Sequence, residues 1–156
     1  MTIEQVYTLD RKETKLVGFT VTTSVNQDKE DGIVGRLRNE LAGRRNEITS
    51  QADQTGMYLV QIYPDSEWTP DVPFLNIVGV EVSDLSELPE GMIQHTIPAG
   101  KFVKVIHAGS EFGIEETYEE INERGLGDNR PYDFEYWSRV DALQQEESSI
   151  AIYLPL

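Results

Sequence analysis

Two runs near the C-terminus decide how this sequence folds: Tyr132-Asp133-Phe134-Glu135-Tyr136-Trp137 and Ile150-Ala151-Ile152-Tyr153-Leu154-Pro155-Leu156. Both are short, dense in aromatic and β-branched residues and lack a helical period, so strands are expected over residues 132–137 and 149–155. Successive side chains of a strand point to opposite faces. In the first run Tyr132, Phe134 and Tyr136 therefore share one face, and Asp133, Glu135 and Trp137 share the other. In the second, Ile150, Ile152 and Leu154 oppose Ala151 and Tyr153. Whichever face of the first run turns inward, it carries an acid toward the core beside large aromatics.

The same strand pattern extends back through the chain. Residues 3–9 and 15–22 (KLVGFTVT) read as strands joined by the polar segment 10–14, which suggests a hairpin. Residues 92–97 and 101–107 suggest a second hairpin, with Pro98-Ala99-Gly100 as its turn. Residues 56–63 (GMYLVQIY) and 74–82 (FLNIVGVEV) supply two more strands, separated by a loop that Pro64, Pro70 and Pro73 punctuate. Two helices complete the set. Residues 32–50 place Ile33, Val34, Leu37, Leu41 and Ile48 on one stripe, and residues 112–123 do the same with Ile114, Tyr118 and Ile121. Glu115 and Glu116 in the first turn of the second helix suit its dipole, and Gly125 is placed to close it.

The element order is ββαββ followed by ββαββ. The expected architecture is α+β: a tandem pseudo-two-fold repeat of antiparallel sheets with two main helices around a central ligand cleft. One domain spans residues 1–156, with halves of about 1–83 and 91–156 meeting near 83–90. Each half alone leaves a sheet face and a helix stripe uncovered, and packing the halves together buries both.

Composition narrows the function. Among 156 residues, 28 Asp and Glu outnumber 13 Lys and Arg, for a formal charge of −15. Residues 46–100 contain nine acids and no Lys or Arg. A field of that sign repels phosphate backbones, so nucleic acid and anionic membranes are poor partners. There is no cysteine, which removes disulfides, thiolate metal sites and cysteine nucleophiles. No secretory signal or apolar run of spanning length is present, and a cytoplasmic location is expected. His95 and His107 are the only histidines; their spacing suits no metal site, so core or surface roles are expected and no metal or cofactor is implied. No Gly-x-Ser-x-Gly elbow or phosphate loop occurs. The acids of the second helix (Glu115, Glu116, Glu119, Glu120, Glu123) read as a solvated face.

A carboxylate ringed by aromatics suits organic cations. The acid supplies a counter-charge, and each ring face attracts the cation by about 0.5–2 kcal/mol. Glu135 with Trp137 is the centre of such a site, and Tyr63, Trp68 and Tyr153 are candidate walls, placed by alternation and loop proximity.

These residues also carry a resemblance. Phe134-Glu135-Tyr136-Trp137 followed by a strand ending Leu154-Pro155-Leu156 resembles the closing signature of GyrI-like small-molecule-binding domains, the family that includes effector-binding domains of AraC- and MerR-type multidrug regulators. Thr96-Ile97-Pro98-Ala99-Gly100-Lys101-Phe102, His107-Ala108-Gly109 and Leu16-Val17-Gly18-Phe19 resemble its middle and early motifs. The resemblance implies a cleft between two halves in which Glu135 neutralises a cationic aromatic ligand. Two departures matter. The aromatic two residues after the Glu is usually Tyr in the family and is Trp137 here, with Tyr136 on the opposite face. No basic recognition helix is present, so no DNA-binding domain is expected and the chain looks like the stand-alone members. The expected function is binding, sensing or sequestration of small hydrophobic or aromatic compounds, cations foremost, with no catalytic residue. Two alternatives remain open. One is hydrolysis of cyclopropane-bearing toxins in the same cleft, with Glu135 as general base or acid helped by a tyrosine. The other is contact between the acidic surface and a protein partner such as DNA gyrase or a regulator.

Overall fold

Strands β1 (Ile3–Arg11), β2 (Thr14–Thr23), β3 (Met57–Ile62), β4 (Phe74–Val82), β5 (Ile93–Ile97), β6 (Gly100–His107), β7 (Tyr132–Trp137) and β8 (Ile150–Pro155) build one sheet in the order β1-β6-β8-β7-β3-β4-β2-β5. Every neighbouring pair is antiparallel. Three helices accompany it: α1 (Val25–Asp31), α2 (Ile33–Arg44) and α3 (Ile114–Glu123). The computed structural model describes residues 3–53, 55–84, 87–145 and 150–156; part of the expected junction at 83–90 and residue 149 of the last strand lie outside them.

Neither expected hairpin forms. β1 pairs with β6 and β2 with β5, so β1–β2 and β5–β6 are each one long strand interrupted by two residues. The pair Arg11↔Gly100 is followed by Thr14↔Ile97, three residues on in both strands, so one register runs straight through both interruptions. The linkers carry no hairpin turn. A two-residue hairpin loop of type I′ or II′ needs a residue with positive φ. Neither Lys12-Glu13 nor Pro98-Ala99-Gly100 has one. The chain therefore continues extended. Since β1 and β2 stand near opposite ends of the strand order yet are joined by two residues, the sheet curls until its ends meet. The Arg11 guanidinium donates to the Thr14 hydroxyl (3.2 Å) across that join.

The two expected sheets are thus one. Its outer face is covered by helices: Leu41 and Ile121 join Leu59, Val78, Val80, Val105, Trp137 and Ile152 in one buried cluster, against which Val34, Leu37, Ile114 and Tyr118 pack. The inner face holds a second cluster without helical residues, including Leu16, Tyr58, Val60, Ile97, Phe102, Phe134 and Tyr153.

The helix expected over 32–50 starts in place but ends early, and a further helix, α1, precedes it. Gly32, at φ 63°, ends α1 and starts α2, and α2 stops at Arg44 before a 3-10 turn over Arg45–Glu47. α1 has no buried residue, so it leaves no apolar period to read. It is announced only by Ser24, whose side chain accepts from the Gln27 backbone N–H at 3.1 Å. α3 ends as expected, with Gly125 at φ 68° and the Leu126 N–H bonded to the Ile121 carbonyl.

Tight curling demands close strand approach at Gly18, which faces Gly79 across β2 and β4. A Cβ at Gly18 would lie 1.9 Å from the Val78 carbonyl oxygen. Gly18→Ala should therefore lower unfolding free energy by more than about 3 kcal/mol in urea titration, because backbone on both strands must shift. A loss below about 1 kcal/mol would show that the strands part freely.

Candidate functional site

The middle of the sheet is the pair β7–β3, where Met57 faces Trp137, Leu59 faces Glu135 and Gln61 faces Asp133. Alternation turns Asp133, Glu135 and Trp137 to the helix side, and all three are buried. Glu135 is 5% exposed and carries no ion pair among the described residues. Its Oε1 accepts from the Trp137 indole N–H (2.9 Å), and its Oε2 accepts from the Tyr118 hydroxyl of α3 (2.6 Å). Burial raises its pKa to about 7; these two bonds oppose that rise, and the charges of Asp133 and Glu111 add to it. Tyr118 in turn is pushed well above the ordinary phenol range by desolvation and by Glu135. The phenol therefore stays protonated and serves as donor.

A second buried acid stands two residues away. Asp133 Oδ2 accepts from Tyr63 (2.7 Å) and from the Arg130 Nε (2.9 Å), while Oδ1 is buried without a partner among the described residues. Burial raises the pKa of this carboxyl too, against the pull of Arg130 and Tyr63. The Gln61 amide sits between the two tyrosines, 3.1 Å from the Tyr118 hydroxyl and 3.4 Å from that of Tyr63. Arg130, Asp133, Tyr63, Gln61, Tyr118, Glu135 and Trp137 thus form one connected polar chain beneath the helices.

Beside it runs a groove of about 570 Å3 between α2 and residues 140–144, lined in part by Arg38, Asn39, Ala42, Met57, Val140 and Leu143. Met57 brings the central strand β3 into this lining. Trp137, Met57's cross-strand partner, lies 3% exposed, with Glu135 bonded to its indole edge. The Arg38 guanidinium lies 5.2 Å from the Trp137 ring centroid and pairs with Glu111 at 2.8 Å.

The five residues singled out from sequence separate into three places. Glu135 and Trp137 are bonded to each other, and Tyr63 reaches the same polar chain through Asp133. Tyr153 faces the inner side of the sheet, stacked on Phe134 (4.7 Å, 10°) with the Arg11 guanidinium 4.6 Å from its ring centroid. Trp68 stands 43% exposed in the loop between β3 and β4. Tyr136 also faces inward and donates its hydroxyl to Asp53. His107 is a core residue: Nδ1 lies 2.6 Å from the Thr117 hydroxyl and Nε2 2.6 Å from the Ser110 carbonyl.

Tyr118, Asp133, Gln61, Arg38 and Glu111 were missed. Asp133 was legible, since the alternation that selects Glu135 selects it as well. Tyr118 lies on the apolar stripe of α3 and reads there as packing. No sequence signal joins Arg38 to Trp137 or Glu111.

The profile of the GyrI-like small molecule binding domain family matches residues 4–156. The chain belongs to this family. It is 28% identical over 129 residues to the transcriptional regulator BrlR of Pseudomonas aeruginosa, covering 79% of this chain but 46% of the relative, so the chain spans about half of that regulator. Among solved structures, SAV2435 bound to tetraphenylphosphonium superposes with a TM-score of 0.71 at 16% identity, over 97% of this chain and 93% of that one. An integron cassette protein of Vibrio cholerae gives 0.68 at 20% identity, over 99% and 97%. These likenesses show the α+β fold with its antiparallel eight-stranded sheet. Among the described residues no helix is long and apolar enough to cross a membrane.

The burial of Glu135 has a measurable consequence. Its folded pKa of about 7 exceeds the ordinary 4.5, so between those values the folded state binds more protons than the unfolded chain. Stability therefore falls as pH rises through 4.5 to 7, and the full penalty, about 3 kcal/mol, is present above 7. Glu135→Gln should raise Tm at pH 8 by roughly 5–10 °C and by little near pH 5. An equal gain at both pH values would reject charge burial as its cause.

Proposed function

We propose that this domain binds small lipophilic, aromatic cations on the helix side of the β7–β3 pair, with Glu135 as counter-charge and Trp137 as aromatic wall. The observation that carries this reading is a buried carboxylate with two hydrogen-bond donors and no ion pair of its own among the described residues. Such a group is held at a loss and is the natural partner of an incoming cation. Membership of a small-molecule-binding family supports it. So does the structure of SAV2435 bound to tetraphenylphosphonium, a quaternary phosphonium. Tyr63 backs the site through Asp133, whereas Tyr153 and Trp68 have no part in it. We further propose that residues 1–156 act as one ligand-binding unit whose two halves are a two-fold repeat. The exchange of β1 and β5 between halves supports this reading, because the strand order reads identically in reverse when each strand of one half is swapped for its counterpart.

Binding needs Glu135 ionised, and its pKa in the free protein is about 7. A cation beside it lowers that pKa, so binding releases a proton below neutrality. Affinity for tetraphenylphosphonium should rise about tenfold per pH unit up to about 7 and level off above it. Glu135→Gln should weaken binding at pH 8 at least about tenfold and remove the pH slope. Calorimetric titrations in buffers of different ionisation enthalpy read both effects. A flat profile with wild-type affinity in the Gln variant would sink the assignment.

A hydrolase reading is favoured by one observation, the 2.6 Å bond between Tyr118 and Glu135. That pair holds a general acid and a carboxylate together in a desolvated site. Turnover of a cyclopropane-bearing electrophile, abolished in Tyr118→Phe while tetraphenylphosphonium still binds, would establish catalysis. Absence of turnover in the wild-type protein leaves binding as the function.

A further inference from the structure

The aromatic face that the proposed function assigns to a ligand is already covered by a cation of the chain. Arg38 on α2 places its guanidinium 5.2 Å from the Trp137 ring centroid. Its two terminal nitrogens reach Glu111 at 2.8 and 3.4 Å. Both side chains are mostly withdrawn from solvent, at 15% and 22% exposure. Arg38 also lines the groove beside the site, so it stands between that open volume and Trp137. At its edge the same ring donates its indole N–H to Glu135. One indole thus meets a cation on its face and a carboxylate at its edge.

We propose that Arg38 is a built-in competitor, a tethered cation that occupies the Trp137 face and must swing away before an organic cation can bind. The inference rests on the ligand site proposed above and adds its gate. A guanidinium stays charged at every working pH, so the gate does not open by titration. It opens by exchange. A ring face holds one cation at a time, and the ligand's attraction to Trp137 is offset by that of Arg38. Glu111 remains paired with Arg38 as it moves. Compounds with one weak aromatic contact are rejected. Those with several rings or a fixed charge reach Glu135. This makes Arg38 a specificity-determining residue, although no hydrogen bond recorded for it reaches the polar chain itself.

A merely structural clamp between α2 and residues 111–113 makes different predictions. Under the proposal, Arg38→Gln and Arg38→Met should bind tetraphenylphosphonium about tenfold tighter than wild type at pH 8, and Arg38→Lys should stay close to wild type. A clamp would instead leave affinity unchanged or weaken it. Titration of wild type, these variants and Glu135→Gln by calorimetry separates the possibilities. Glu135-dependent binding that ignores Arg38 overturns the gate alone. No Glu135-dependent binding in any chain overturns the site and the gate together. A second measurement needs no variant at Arg38. The Arg38 Nε–H resonance, shielded by the indole ring in the free protein, should lose that ring-current shift on saturation with tetraphenylphosphonium. A shift unchanged in the saturated complex also overturns the gate.

Discussion

The continuous ladder between residues 3–18 and 93–107 governs where everything else in the molecule sits. Because its register passes unbroken through two linkers, each long strand belongs to both halves of the sheet. The sheet must then curl until its ends meet, which puts β7 and β3 at its centre and divides its side chains into an inner and a helix-covered set. The side facing the helices holds the buried carboxylate Glu135, and Arg38, over the Trp137 ring, lines a groove there. The inner side is filled by its own rings, with Phe102 edge-on to Phe134 and Phe134 stacked on Tyr153. The ladder thus decides which face is open to a ligand before any functional residue is considered.

On the helix side the governing term is desolvation. Two buried carboxyls stand two residues apart; burial raises the pKa of both, Asp133 raises that of Glu135 further, and of the two only Asp133 has an ion pair among the described residues. The protein accepts that penalty at Glu135, satisfying both oxygens with neutral donors, Tyr118 and Trp137. Neutral donors hold the carboxylate in place without cancelling its charge. That combination keeps an unspent negative charge in a low-dielectric site, where a cation gains most. Arg130 beside Glu135 in place of Asp133 would have closed the site permanently.

Strand positions, and the faces within each strand, were legible in the sequence because alternation is local. Tyr132–Trp137 was read correctly in extent and in facing, and so was the end of α3 at Gly125. Pairing was not legible. Two strands separated by a short polar or Pro-containing linker read as a hairpin by proximity, and Gly100 in the second linker suits a positive φ. In the fold Gly100 takes none and opens β6, an outcome that pairing decides and local sequence does not. The candidate site was half legible for a related reason. Residues on one strand, such as Glu135 and Trp137, are tied by period. Trp68 was placed by loop proximity and Tyr153 by alternation, which tells the residues of β8 apart by face but not which face meets Glu135; the pairs Glu135↔Ile152 and Phe134↔Tyr153 put Tyr153 on the inner side. Tyr118, Arg38 and Glu111 meet the site only through helix packing, which no spacing encodes.

The two faces of the sheet meet the same chemistry with different outcomes. On the inner face Arg11 lies over Tyr58, Phe134 and Tyr153, at 5.9, 5.2 and 4.6 Å, and donates to the Tyr58 hydroxyl. On the outer face Arg38 lies over Trp137 alone. Arg11 is held by three rings at the join of the curled sheet, so releasing it would open the ladder that defines the fold. Arg38 is held by one ring and one carboxylate at the edge of a groove, so releasing it disturbs a helix surface. An aromatic cage filled by the chain's own arginine is structural where the fold depends on that arginine, and exchangeable where it does not. The buried carboxylate decides which of the two faces rewards exchange. Glu135 is bonded to the edge of Trp137, whereas among the described residues no buried acid is bonded to the rings of the inner cage; Glu81, which accepts from the Tyr58 hydroxyl, is only partly buried.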